Sequence, residues 1–280
     1  MFHKPEYASL PPSQVIPALA DKGVYLASES TCYRVLHAAG QQHERGRARQ
    51  RERRAKPNEY QATGPNQAWS WDVTWLKGPA RGTFFYLYMI VDVFSRKIVG
   101  WEVYEKECGK LASELVTRAV MSEGCQCQPD ILHADNGSPQ KSATLQATLQ
   151  HLGIEASYSR PRVSNDNPYS EALFRTTKYR PDYPAEGFAE LAQAREWVLG
   201  FVRWYNEEHR HSAIKFVTPE ERHTGADIEI LEGRAALYER AKAARPERWR
   251  GKTRNWSRPK LVYLNPDRPE QESSAELGSA

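Results

Sequence analysis

Apolar and polar positions alternate strictly through WSWDVTWL at 69–76. Trp69, Trp71, Val73 and Trp75 fall on one face of an extended segment, and Ser70, Asp72, Thr74 and Leu76 on the other. A period of two predicts a strand, with the three tryptophans as core. Two β-rich runs follow, GTFFYLYMIVDVF at 82–94 and KIVGWEVY at 97–104. They are joined across Ser95-Arg96 and read as an antiparallel meander. The pattern then predicts a helix over 109–122, a short apolar strand over 129–135, a helix over 141–152 and a strand over 154–159.

Three strands, a helix, a strand, a helix and a strand form the order of a ribonuclease H-like fold, an α/β mixed five-stranded sheet with flanking helices. Residues 160–168, RPRVSNDNP, are a polar loop whose closing Asn-Pro opens another helix, with Glu171 in its first turn. A long amphipathic helix over 188–208 offers Leu191, Trp197, Val198, Phe201 and Trp204 as its buried side. Ahead of the sheet, 13–19 and 28–39 read as two short helices joined around Gly23. Ser28 or Ser30 caps the second, and Tyr33, Leu36 and Ala39 stand at helical spacing along it. This pair is helix-turn-helix-like and all-α, with a plain helical hairpin as the alternative; Pro17 removes a backbone donor early in the first helix. The expected domains are 1–42 (helix-turn-helix-like), 43–63 (basic linker), 64–225 (ribonuclease H-like core) and 226–280 (basic C-terminal helix and tail).

Charge sharpens this division. The net charge is +4, but Lys and Arg outnumber Asp and Glu by 10 to 6 over residues 1–63 and trail by 10 to 12 over 64–172. Over 173–280 they lead by 19 to 17. Basic flanks around an acidic middle suit a protein that grips a polyanion outside and holds cations within. HERGRARQRERRAK at 43–56 has no apolar periodicity, and reads either as a solvated linker or as an arm touching phosphates. Residues 234–260 carry ten Lys or Arg against two Glu, interleaved with Tyr238, Trp249 and Trp256, a mixture that binds nucleic acid. No stretch is apolar enough for a membrane span or signal peptide, and four cysteines are too few for a disulfide scaffold, so the chain reads as cytosolic.

Three acids stand where a metal site is built. Asp72 lies mid-strand among tryptophans, where an unpaired carboxylate is costly to bury. Asp135, in HADNGS, follows the carboxyl end of a strand, and Glu171 rides on a helix start. Carboxylate oxygens are hard ligands suited to Mg²⁺, with Mn²⁺ as substitute. Two such ions support phosphodiester chemistry without a nucleophilic side chain, and none of the GxSxG, P-loop or paired Cys/His motifs occurs.

WSWDVT, HADNGS and SEALFRTTK resemble the three blocks of the DDE transposases and retroviral integrases, and thirty-five residues separate Asp135 from Glu171, as in the D,D-35-E signature. VDVFSRKIVGW, RPRVSNDNPYSE and WYNEEHRHSAI extend the likeness over about 64–225, nearest to the second-reading-frame (OrfB-type) subunit of bacterial insertion-sequence transposases. The resemblance implies hydrolysis of a phosphodiester at element ends and transfer of the freed 3′-OH to another strand. It implies Asp72, Asp135 and Glu171 as catalytic metal ligands, and Lys178, seven residues beyond Glu171, as a DNA contact. Asn136, Asn165 and Tyr169 are expected neighbours of the DNA, joined by Arg248, Arg250, Lys252 and Arg254 of the basic segment. Expected partners are DNA, an upstream-reading-frame fusion partner and further copies of the chain on DNA, with the nucleoid as location. The paired His and Cys of the retroviral N-terminal zinc domain are missing, and no heptad run is visible.

Blander readings compete. Asp92 is expected to cap the Ser95-Arg96 turn or pair with Arg96. Cys125 and Cys127 with His133 lack a second ligand pair for zinc. His209 and His211 read as phosphate contacts or as a solvated helix end. A purely hydrolytic nuclease, or a DNA-binding regulator with a degenerate site, remains the alternative function.

Overall fold

In the computed structural model, which describes residues 1–41, 59–124, 129–160 and 166–266, the chain divides into two units, Met1–Arg54 and Ala55–Ala280. The first holds α1 (Pro12–Ala20) and α2 (Glu29–Ala38), with Gly23 between them at φ +75°. Ser28 caps α2 by accepting from the Thr31 amide at 3.3 Å, and α1 continues through Pro17. Val15 and Leu19 of α1 are buried, as are Cys32 and Leu36 of α2. The basic run at 43–56 lies outside the described residues.

The second unit is built on a five-stranded sheet. After the short β1 (Tyr60–Ala62) come β2 (Ala68–Lys77), β3 (Phe84–Asp92), β4 (Ile98–Tyr104), α3 (Gly109–Ser122), β5 (Ile131–Ala134), α4 (Ala143–Leu152) and β6 (Glu155–Tyr158). The strand order is β4-β3-β2-β5-β6. β3 runs antiparallel to both β2 and β4, while β5 and β6 are parallel to β2. This is the ribonuclease H-like arrangement that the element order predicts. On one face Trp69, Trp71, Tyr88 and Ile90 pack with Leu115 and Val116 of α3 and Leu145 and Leu149 of α4. On the other, Leu76, Leu87 and Met89 meet α5 (Pro168–Lys178) and α6 (Leu191–Glu207). Helices on both faces explain why β3 is apolar nearly throughout.

Two backbone details fix this geometry. Arg96 turns the β3–β4 connection at φ +71°, and Asp92 accepts from both the Ser95 amide (2.7 Å) and its hydroxyl (2.6 Å), the turn-capping role expected of it. A Cβ at Gly100 would stand 3.0 Å from the Ala119 Cβ and 3.2 Å from Ile90 Cδ1, so the bare Cα allows α3 its close approach to the sheet.

The sequence pattern missed the closing ribbon. β1, inside the expected linker, pairs antiparallel with β7 (Val262–Leu264), inside the expected tail, in the register Tyr60↔Leu264. Between them lie α7 (Pro219–Thr224) and α8 (Asp227–Ala244). Arg222 of α7 and Asp227 of α8 form a fully buried pair at 2.7 Å, joined by Arg258 at 2.7 Å. Arg222 also donates to the Pro259 carbonyl and lies over the Phe94 ring. Residues 226–266 are therefore tied into the second unit. No helix among the described residues is long and apolar enough to cross a membrane.

Candidate active site

Asp72 sits on β2 just past Trp71, the last residue that β5 pairs, and Asp135 directly follows the end of β5. Parallel pairing thus sets the two acids side by side, Asp72 midway along β2 and Asp135 just past the carboxyl end of β5. Burial, then the charges of Asp135, Glu107 and Glu171, push the Asp72 carboxyl up to about 7 despite a hydrogen bond from the Val73 backbone. Burial and Asp135 likewise raise Glu171, which is exposed in the first turn of α5. All three acids therefore share one electrostatic neighbourhood.

A buried polar staple brings α5 there. Ser70, on the same face of β2 as Asp72, donates to Asn167 Oδ1 at 2.5 Å and hydrogen-bonds the Ser170 hydroxyl at 2.8 Å; Asn167 donates back to the Trp71 carbonyl at 3.4 Å. Ser170 immediately precedes Glu171, so the staple fixes the helix start against the Asp72 strand. His133, fully buried in β5, ties in the same segment, with Nε2 2.8 Å from the Asp166 carbonyl oxygen and Nδ1 2.9 Å from the Ser157 hydroxyl. Burial lowers the His133 pKa, against the opposing pull of the Asp166 backbone and the Asp135 charge.

The carboxylates also have individual partners. Ser159 donates to Asp135 Oδ1 at 2.7 Å, and Gln140 Nε2 to Asp72 Oδ1 at 3.3 Å. Among the described residues no group of three or more His, Cys, Asp or Glu is gathered tightly enough to hold a metal ion. The acids are electrically coupled neighbours, with Asp72 and Asp135 each turned to its own partner. Their donors are nevertheless all carboxylate oxygens, and the like charge that raises Asp72 is what a hard divalent cation offsets.

Two family models, both described as integrase core domain, match residues 62–164 and 152–219, together more than half of the chain. The chain belongs to the integrase core family. It is similar to the transposase for insertion sequence element IS904 of Lactococcus lactis subsp. lactis, with 32% identity over 164 residues, 58% of this chain and 63% of the relative. Transposase InsF for insertion sequence IS3A of Escherichia coli K12 is 28% identical over 164 residues, 58% of this chain and 56% of that one. The match thus spans less than two thirds of either transposase. Among solved structures, the simian T-cell lymphotropic virus intasome in complex with PP2A regulatory subunit B56 gamma gives a TM-score of 0.47 at 17% identity, over 76% of this chain and 74% of that one.

Within the integrase core, other sequence-predicted residues have structural occupations. Asn136 donates to the Ser159 carbonyl, bracing the turn that carries Asp135. Tyr169 donates to the Tyr263 carbonyl and stacks under the Arg96 guanidinium (4.2 Å), joining α5 to the β7 ribbon. Asn165, Cys125 and Cys127 lie outside the described residues. Lys178 is exposed at the end of α5, its pKa lowered by partial burial. Burial, then Arg96 and His209, lowers His211 to about 4, so it carries no charge for a phosphate at neutral pH.

Arg248, Arg250, Lys252 and Arg254 are exposed, but they follow α8 instead of lying on it. Lys252 and Arg254 line a groove between α8 and the returning chain, with Arg254 over the Phe216 and Trp256 rings. Sequence reasoning missed Ser70, Asn167, Ser170, His133 and Gln140. Only the polar positions of Ser70 and His133 within apolar strands signalled them.

Proposed function

We propose that this chain is the catalytic subunit of a DNA transposase, cutting and joining strands at insertion-sequence ends. The observation that carries this reading is the placement of Asp72, Asp135 and Glu171 on adjacent β2, β5 and α5 of an integrase core, electrically coupled and spaced as D,D-35-E. The three carboxylates would hold Mg²⁺, or Mn²⁺ in its place. Two bound ions would activate the attacking oxygen and stabilise the leaving one. The residues of the chain align this site: the Ser70–Asn167–Ser170 staple fixes Glu171 against β2, Gln140 orients Asp72, and Ser159 orients Asp135. Lys178, two turns beyond Glu171, offers an ammonium to a DNA phosphate. The α1–α2 pair and residues 248–254 supply further DNA affinity, several copies assemble on the DNA, and an upstream-reading-frame partner adds end recognition.

The test is a cleavage and joining assay on labelled element-end DNA with Mg²⁺, Mn²⁺ or EDTA, comparing the native chain with Glu171→Gln. Metal-dependent joined products that vanish in the variant are expected. Cleavage without joining identifies a hydrolytic nuclease. DNA binding without cleavage, also when fused to the upstream frame, identifies a regulator.

A further inference from the structure

Trp75 departs from its strand mates. Trp69 and Trp71 are 0% and 1% exposed, but Trp75 is 53% exposed, against the expectation that all three are core. The cause is topological: β5 pairs only with Ala68–Trp71, so β2 beyond that point keeps β3 as its sole strand neighbour. On β3, Phe84 and Tyr86 complete an aromatic group with Trp75, at ring-centroid distances of 5.1 Å and 6.1 Å. Phe84 is itself 38% exposed. Trp75 Nε1 donates to Glu107 Oε1 at 3.4 Å, which fixes the rotation of the indole.

This group borders the acid site. Trp75 follows Asp72 by three residues on one strand, about 10 Å at roughly 3.3 Å per residue, with the two side chains on opposite faces at the stretch that β5 leaves unpaired. Glu107 is near enough to Asp72 for its charge to act there. Lys106 and Lys110, on the same segment as Glu107, are exposed cations for phosphates alongside. A braced indole with an open face, flanked by cations, is the combination that receives unstacked bases. We propose that Trp75, backed by Phe84 and Tyr86, is a stacking platform for unpaired nucleobases of the DNA bound at the acid site. This rests on the DNA-processing reading above.

The experiment measures binding of the full chain in EDTA, so catalysis plays no part. Two DNAs are compared, a fully paired end and the same end with three unpaired nucleotides, using the native chain, Trp75→Ala and Trp75→Phe. Trp75→Ala is expected to weaken binding of the unpaired end by roughly 5- to 150-fold, the range for one lost base stack, while leaving the paired end unchanged. Trp75→Phe keeps most of the preference. 2-Aminopurine scanned along the unpaired strand of the native complex should quench most at one position, a readout independent of any variant's folding. Equal weakening of both DNAs, no change in either, or quenching without a maximum at any one position overturns the platform. A native chain that binds neither DNA overturns the DNA-processing reading, and the platform falls with it.

Discussion

Gln140 stands between Asp72 and Gly137. Its amide donates to Asp72, its Oε1 is buried with no hydrogen-bond partner, and a Cβ at Gly137 would fall 2.1 Å from that oxygen. Gly137→Ala must therefore displace Gln140, and strand cleavage is expected to fall about tenfold or more, as when a metal ligand loses its orienting partner. A second residue-scale prediction concerns Asp227. Removing its carboxylate strands Arg222, whose side chain is 0% exposed, so Asp227→Ala is expected to cost about 3–5 kcal/mol in denaturant unfolding. At this scale the three acids were legible because their spacing and flanking blocks are local in sequence. Trp75 was misread because alternation records which face a residue takes, not where a neighbouring strand stops. His133 was weighed only as a zinc ligand with Cys125 and Cys127, because its acceptor, the Asp166 carbonyl, is thirty-three residues away.

Among the elements, α3 and α5 are held by different means. α3 rides on the bare Cα of Gly100, and Gly100→Val would overpack that contact; a loss of about 1–3 kcal/mol is expected. α5 is held by polar contacts. Asn167→Ala leaves the buried Ser70 hydroxyl without its acceptor and removes the donor to the Trp71 carbonyl, at about 1–3 kcal/mol, and frees the helix that carries Glu171. Its cleavage rate should fall further than its stability loss accounts for, measured well below its unfolding transition. The sheet and its helices were readable because their periods are long and clean, and the helix over 109–122 has the same limits in structure and pattern. α6 was found, but its buried side turned toward Ala194, Val202 and Tyr205, leaving Leu191, Trp197 and Trp204 half-buried. β1 and β7 were not found because three-residue strands carry no period, and their partners are about two hundred residues apart.

Across the whole second unit, a charged cluster around His223 joins α7 to the β3–β4 turn and the end of α3. Its Nε2 lies 2.8 Å from Glu123, while Nδ1 lies 2.9 Å from the Ser95 hydroxyl and 3.8 Å from Asp92. Burial opposes the imidazolium, but Asp92 and Glu123 outweigh it and raise His223 to about 9; Glu123, burial notwithstanding, drops to about 2. The raised histidine stabilises fully below about 6.5, and this is lost as pH climbs through 9. The depressed glutamate stabilises above about 4.5, and this is lost as pH falls toward 2. The melting temperature should therefore decline between pH 6.5 and 9, and His223→Gln should flatten that decline. DNA affinity should fall steeply with salt, and replacing Lys252 and Arg254 should reduce the log–log slope by about 0.9 for each phosphate contact removed.

The pairing of Tyr60 with Leu264 also has a topological meaning. The described part of the second unit is bracketed by one two-stranded ribbon, so polypeptide attached at either side departs from the same spot. Such a module tolerates transplantation. Opened at the solvent-facing turn near Gly82 and rejoined across the ribbon, it should refold as a circular permutant; spliced whole into a surface loop of another protein, it should disturb its host little.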